Sequence, residues 1–271
     1  MSGAAAKAVA MPPKFEVPRR FGGMARLYGD DIVAAWSEAH ACVIGIGGVG
    51  SWAAETLARS GVGRLTLIDL DHVAESNINR QAHALEHTLG QAKVLAMRER
   101  IYAINPQARV EVIDEFVTPD NAHALLRDFD VVLDAIDSSR AKVATIVACR
   151  RARMPLIVSG GAGGKVDPSC IRVDDLARTV QDPLLSRVRR QLRAEHGFSR
   201  DPRRKFGIQA VFSSEPLRRP QAACEPGRGP QGLACAGYGS SMAVTASVGL
   251  LAAARALDIL AHSASQPKEA S

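Results

Sequence analysis

The chain has 271 residues, 46% of them hydrophobic and 23% charged, which suits one large α/β domain and rules out a wholly disordered chain. Aromatics at 4% argue against recognition built mainly on stacked bases, and five cysteines without a CxxC pair argue against a disulfide framework or a four-cysteine zinc site. The net charge of +6 is concentrated: between Arg178 and Arg219 eleven Lys/Arg face four acids, so the remainder is about neutral.

The opening MSGAAAKAVAMPPKFEVPRR lacks the apolar stretch and cleavage site of a secretory signal, so a reducing, cytoplasmic location is expected. From residue 41 apolar runs alternate with helical patterns. Strands are predicted at 41–46, 64–69, 109–113, 130–137 and 155–160. Helices are predicted after the glycines through Ser60, over Gln91–Asn105 up to Pro106, in a short piece capped by Asp120, and over Ser139–Arg153. Apolar strands joined by helices imply a Rossmann-like, mostly parallel sheet with helices on both faces.

After Gly164 the alternation stops. Residues 165–235 are rich in Pro, Arg and Gly, hold one predicted helix (184–196), and read as a basic, loop-rich elaboration on the core. A long apolar helix follows within 236–262. The run from Gly229 to Ala254 carries no charge and is long enough to span a bilayer, but its Gly, Ser, Thr and Ala content and its missing aromatic belt favour a core helix. The whole reads as one domain: an N-terminal arm (1–40), a nucleotide-binding core (41–164), the elaboration and the closing helix.

The chemistry starts at the end of the first strand. Gly45, Gly47, Gly48 and Gly50 form GxGGxG directly before a helix, where glycines let backbone approach phosphates and the helix start offers free N–H groups. Asp69 ends the second strand, where a carboxylate can accept from ribose hydroxyls. An NAD-dependent dehydrogenase fits equally well to this point. The next residues decide against it: DLDHVAESNINRQ supplies Asp71, Asn79, Arg80 and Gln81, then Lys93 opens the next helix and Asp137 ends the fourth strand. Two cations and separate carboxylates suit a triphosphate with Mg²⁺ better than an apolar nicotinamide pocket. Each residue alone could be a cap or a surface ion pair; together they lie at one sheet edge.

GIGGVGSW, LIDLD, NINRQ, the following Lys93 and DAIDS resemble the ubiquitin-activating-enzyme-like superfamily of the ThiF, MoeB and HesA type, over residues 20–165. That resemblance implies adenylation of a carboxylate by ATP. It assigns Gly45, Gly47, Gly48 and Gly50 to the phosphates, Asp69 to the ribose, Arg80 and Lys93 to the triphosphate and Asp137 to Mg²⁺, with Asp71, Asn79 and Gln81 counted in the nucleotide site. It also implies a homodimer. RFGGMARLYG stands where relatives carry an arginine that reaches the partner's site. The aligned position here is Gly23, so Arg26, or else Arg20, would take that role.

RFGGMARLYG, GGAGGKVDP, VQDPL and CAGYGSSM extend the likeness over residues 20–260, to a branch that dehydrates a threonylcarbamoyl-modified adenosine beside the anticodon of tRNA. In such a reaction ATP activates the side-chain carboxylate and a neighbouring group closes a ring, releasing AMP. Arg187, Arg189, Arg190, Arg193, Arg203, Arg204 and Lys205 would then bind tRNA phosphates; a solvated charged loop is the plain alternative. No DNA, zinc or membrane is expected, while a monovalent cation and a cysteine desulfurase or sulfur-acceptor relay stay open. GGAGGK is not a P-loop, because Ser159 and Val166 occupy its required positions; Lys165 is assigned loosely to substrate. Cys235 reads as a structural thiol rather than a nucleophile. Two other functions remain: adenylating the C-terminal carboxylate of a ubiquitin-like sulfur carrier, for which the CxxC pairs are missing, and a non-enzymatic scaffold.

Overall fold

Seven strands make one sheet: β1 (His40–Ile44), β2 (Arg64–Ile68), β3 (Arg109–Ile113), β4 (Val131–Asp134), β5 (Leu156–Ser159), β6 (Ile171–Asp175) and β7 (Gln209–Ser213). Their spatial order is β3-β2-β1-β4-β5-β7-β6, parallel throughout except for β6, which runs antiparallel to β7 at the edge. The computed structural model of the chain describes residues 16–201, 203–218 and 238–265.

Strand β1 lies centrally, with Cys42 opposite Thr66 of β2 on one side and Val132 of β4 on the other. The strand order reverses between β1 and β4, and such a switch point leaves a crevice at the carboxyl ends of the strands. One face is covered by α1 (Gly22–Tyr28), α2 (Asp30–Glu38), α3 (Gly50–Arg59), α4 (Lys93–Ile104) and α8 (Met242–Ser265). The other carries α5 (Ala122–Leu125), α6 (Ser139–Ala152) and α7 (Pro183–Glu195). Ser138 caps α6 by accepting from the Ala141 N–H, and Asp182 caps α7 by accepting from Leu185.

The basic elaboration proves to be part of the sheet. Residues 171–175 and 209–213 supply β6 and β7, so no core ends at 164. The Asp175 carboxylate fastens the intervening basic loop, accepting from the N–H groups of Ala177, Phe206 and Gly207 at 2.8–2.9 Å. Strand β4 stops at Asp134, three residues before the predicted end, which puts Asp137 in the loop beyond it. Asn121, not Asp120, precedes α5; its Oδ1 accepts from the Thr118 N–H at 2.7 Å.

Helix α8 meets the length and hydropathy of a membrane span over Met242–Ser263, yet 56% of that window is buried within the protein. Val244, Val248, Ala253, Ala256 and Leu257 belong to the main core, and the indole of buried Trp36 donates to the Leu257 carbonyl at 3.2 Å. Its small residues matter where α8 crosses α3: a Cβ on Gly249 would overlap the Val49 carbonyl and sit 3.0 Å from Cβ of Trp52. Gly249→Val is therefore expected to lower stability by about 1–3 kcal/mol through overpacking. Urea denaturation checks this, and an unchanged midpoint would show that the helices part freely.

Candidate active site

The glycine loop follows β1 into the crevice. Gly45 has φ +83°, a conformation other residues rarely adopt, and a Cβ on Gly50 would overlap the Gly45 carbonyl. Both glycines also face Ala135 of the loop after β4, so the ends of β1 and β4 close on one another. Asp69 fixes the loop from the other side. Its Oδ2 accepts from the Ile46 N–H at 2.6 Å, and its Oδ1 accepts from Asp71 at 2.9 Å. Burial raises the Asp69 carboxyl above its usual range, against the pull of Lys93 and the two N–H groups.

The segment after β2 is stitched to α3. Ser51 Oγ accepts from the Ala82 N–H at 3.1 Å, and the Trp52 indole donates to the Arg80 carbonyl at 2.9 Å. These bonds bring the Arg80 side chain beside Gly48, whose Cβ position lies 3.2 Å from Arg80 Cγ. The guanidinium donates to the Ser76 carbonyl (2.8 Å) and to Asn79 Oδ1 (2.9 Å). Lys93 is buried and its Nζ pairs with Asp71 Oδ2 at 2.7 Å. Asn79 Nδ2 donates to the Ser240 carbonyl at 3.1 Å, tying this segment to the entry of α8. Gln81 is buried, and its Oε1 has no partner among the described residues.

Beneath the crevice lies a pair the sequence reading missed. Lys142 Nζ donates to Asp134 Oδ1 at 2.8 Å, both side chains fully buried, and the same Oδ1 accepts from the Ile136 N–H. An Asp at a strand end followed by a Lys one turn into the next helix was the available signal. The pair anchors the 135–138 loop, which carries the exposed Asp137.

Two expectations are corrected here, those for Lys165 and for Arg189 with Arg193. Lys165 is buried and donates to the carbonyls of Gln181 (2.9 Å), Ser213 (3.5 Å) and Glu215, so it holds the fold rather than substrate. Arg20 and Arg26 stand away from the glycine loop of their own chain: Phe21 packs on Gly61 at the far end of α3, about 15 Å from its start, and Arg20 donates to the Ile104 carbonyl. Arg189 and Arg193 turn inward. Arg189 bonds the Thr179 hydroxyl, while Arg193 donates to the Ser199 carbonyl at 3.2 Å and lies over the Phe206 ring. Arg203 pairs with Asp201 at 3.2 Å while its own side chain stays exposed; Arg187, Arg190, Arg204 and Lys205 are exposed. Cys42 and Cys149 are buried, and burial pushes their thiols up, Cys149 to about 12, which disqualifies both as nucleophiles. Cys235 lies outside the described residues.

The glycine loop and the helix start behind it are flanked by Arg80, beside Gly48, and by the loop after β4 that carries Asp137, while Lys93 pairs with Asp71 next to the loop's anchor Asp69. The ThiF family model matches residues 23–270. The chain belongs to the ThiF family. Among its relatives, the tRNA threonylcarbamoyladenosine dehydratase of Escherichia coli is 49% identical over 247 residues, spanning 88% of this chain and 92% of that protein. A crystal structure of the E. coli enzyme in complex with ATP superposes with a TM-score of 0.82 at 47% identity, covering 92% of this chain and 96% of that one. The molybdopterin-synthase adenylyltransferase of E. coli, another ThiF relative, is 35% identical but aligns with only 47% of this chain.

Behind the site, His83 is 1% exposed, and neither ring nitrogen has a partner among the described residues. Burial first, and then Lys93 and Arg100, pull it from 6.5 to about 4. A histidine held neutral in the fold leaves stability intact above pH 6.5 and withdraws it as pH falls from 6.5 towards 4. The loss amounts to roughly 3 kcal/mol at the acid end. Chemical unfolding at stepped pH should show this decline in the wild type and a flatter profile in His83→Leu; parallel profiles would remove His83 as its source.

Proposed function

We propose that the chain is an ATP-dependent tRNA threonylcarbamoyladenosine dehydratase of the cytoplasm. The observation that carries this reading is that the likeness to that enzyme covers 88% of the chain, whereas the likeness to a sulfur-carrier adenylyltransferase covers 47%. The presence of Arg80, Lys93 and Asp137 around a well-formed glycine loop argues against a scaffold without chemistry.

In the reaction, the substrate's side-chain carboxylate attacks the α-phosphorus of ATP and pyrophosphate leaves. The neighbouring carbamoyl group then attacks the acyl-adenylate, AMP departs and a ring closes, so that the nucleoside loses one water overall. N–H groups of the glycine loop and the start of α3 hold the phosphates, and Arg80 and Lys93 offset the charge on the departing pyrophosphate. Asp69 keeps the loop in register and offers its remaining lone pairs to the ribose. Asp137, an exposed carboxylate of the kind by which Mg²⁺ is commonly held together with substrate phosphates, would hold that ion. Bound there, Mg²⁺ would neutralise phosphate charge. Ring closure is intramolecular and needs no protein nucleophile.

Arg26, remote from its own chain's loop, would serve the site of a second copy in a homodimer. Arg187, Arg190, Arg203, Arg204 and Lys205 are the residues assigned to tRNA phosphates, because their side chains face solvent.

Incubation with ATP, Mg²⁺ and threonylcarbamoyladenosine-containing tRNA should yield AMP and a nucleoside lighter by one water on mass analysis. Asp137→Asn should cut that turnover on the order of 100-fold or more, with thermal stability kept; a fully active variant would refute the metal assignment. Charge reversal of Arg187 and Arg190 should weaken tRNA binding and flatten its dependence on salt, since each lost phosphate contact removes about one released counterion. The ATP affinity of that variant should stay as in the wild type. Filter binding across a salt series measures this, and unaltered tRNA affinity at low salt would leave those arginines as a solvated surface.

A further inference from the structure

We propose that the N-terminal turn of α8 forms a second anion subsite, in which the Thr245 hydroxyl and the first N–H groups of the helix hold the carboxylate that ATP activates. The assignment rests on the dehydratase reading above and adds a substrate-binding element to it.

The start of α8 is held against the nucleotide loop from two sides. Asn79 donates to the Ser240 carbonyl, and the Gly164 N–H donates to the Gly239 carbonyl at 2.8 Å. Gly48 faces both helix and cation: its Cβ position lies 3.3 Å from Thr245 Cβ and 3.2–3.3 Å from the stem of Arg80. Thr245 thus flanks the same glycine as Arg80, one turn before Gly249, where α8 packs on the start of α3.

The electrostatics favour an anion there. Helix α8 is 24 residues long and has no acidic residue in its first turn. Its Val244 and Thr245 N–H groups turn back to the Ser241 carbonyl, and the earlier N–H groups lie beyond the reach of any intrahelical acceptor.

The hydroxyl supplies an independent observation. Thr245 is only 3% exposed, yet its Oγ1 has no hydrogen-bond partner among the described residues. Hydroxyls within a helix ordinarily bond the carbonyl four residues back. Two others in α8 do so, Ser247 to Ala243 at 2.6 Å and Ser263 to Ile259 at 3.1 Å. Thr245 does not, and a buried hydroxyl beside an active-site glycine is thereby left to donate to a ligand.

The ligand is the substrate carboxylate rather than the phosphates of ATP. The phosphates have the N–H groups of the glycine loop and of the start of α3, so the Thr245 hydroxyl and the free N–H groups of α8 remain for a second anion beside Gly48. Seated at α8, that carboxylate attacks the α-phosphorus of ATP held on the glycine loop. One P–O bond forms to the carboxylate oxygen as the P–O bond to pyrophosphate breaks.

Steady-state kinetics of the full-length protein on threonylcarbamoyladenosine-containing tRNA test this, with Thr245→Val removing only the hydroxyl. Expected are a roughly 10–100-fold fall in kcat/KM for tRNA, as for a lost hydrogen bond to a charged group, and a KM for ATP within about twofold of wild type. Thr245→Ser should restore most of the activity. Ser241→Asp gives a second reading whose effects have opposite signs: an acid before the first turn should raise the melting temperature while it repels the carboxylate and lowers turnover. Unchanged kcat/KM for tRNA in Thr245→Val, a rise in the KM for ATP instead, or full activity in Ser241→Asp would each overturn the subsite. If the wild type itself fails to dehydrate the tRNA, the dehydratase reading falls, and the subsite falls with it. A wild type that turns over beside an unaffected Thr245→Val removes the subsite alone.

Discussion

Gly50 begins α3 with its α-carbon against the Gly45 carbonyl, so close that a methyl group would overlap the oxygen. This contact sets where α3 starts relative to the end of β1, and the rest of the crevice is arranged around it. Ser51 and Trp52, the next two residues, hold the segment that bears Arg80; Ala135 closes the far side; Asp69 fastens the loop from β2. A displacement of the start of α3 would therefore move phosphate donors, cation and neighbouring loop together. The site is rigid because its parts share backbone bonds with one turn.

Buried charges below the crevice serve a related end. Asp134, paired with Lys142, accepts from Ile136, while Asp182 accepts from Gly161 at 2.9 Å and caps α7. Burial lifts the Asp182 carboxyl and lowers the Lys165 ammonium. Removing water from so many charges is expensive, and apolar replacements of the same shape are often no less stable. What these groups provide is direction: each carboxylate orients the N–H groups of a loop that an apolar side chain could not steer.

Strands β1, β2, β4 and β5 and the glycine loop were legible because a strand buried on both faces reads as an apolar run, and GxGGxG before a helix has few other uses, while edge strand β3 showed in the alternation of RVEVI. Strands β6 and β7 escaped because Pro, Arg and Gly dominate their surroundings. Edge strand β6 is also only partly buried, and its IRVDD shows no apolar run. Arg189 and Arg193 counted as surface charges by type, although Leu185, Val188 and Leu192 mark the buried side of α7 and place both arginines at its border. The contact between Thr245 and Gly48 spans almost two hundred residues, and no local pattern encodes it. Asp137 was found by motif, but its place beyond the strand depends on where β4 loses its partners.

The last helix in the chain order covers the first glycine loop in it. Strands β4 and β5 and helix α3 all leave the ribosome well before residues 242–265, which cover their shared face and bring Thr245 to Gly48. At a synthesis rate of roughly 5–20 residues per second, that apolar face waits for seconds without its cover. The nascent chain thus passes through a stage with most of its sheet and an uncovered apolar face, during which it depends on chaperones or on speed. A message cut short before α8 would yield a protein with that face exposed, and the cell has a ready mark by which to discard it.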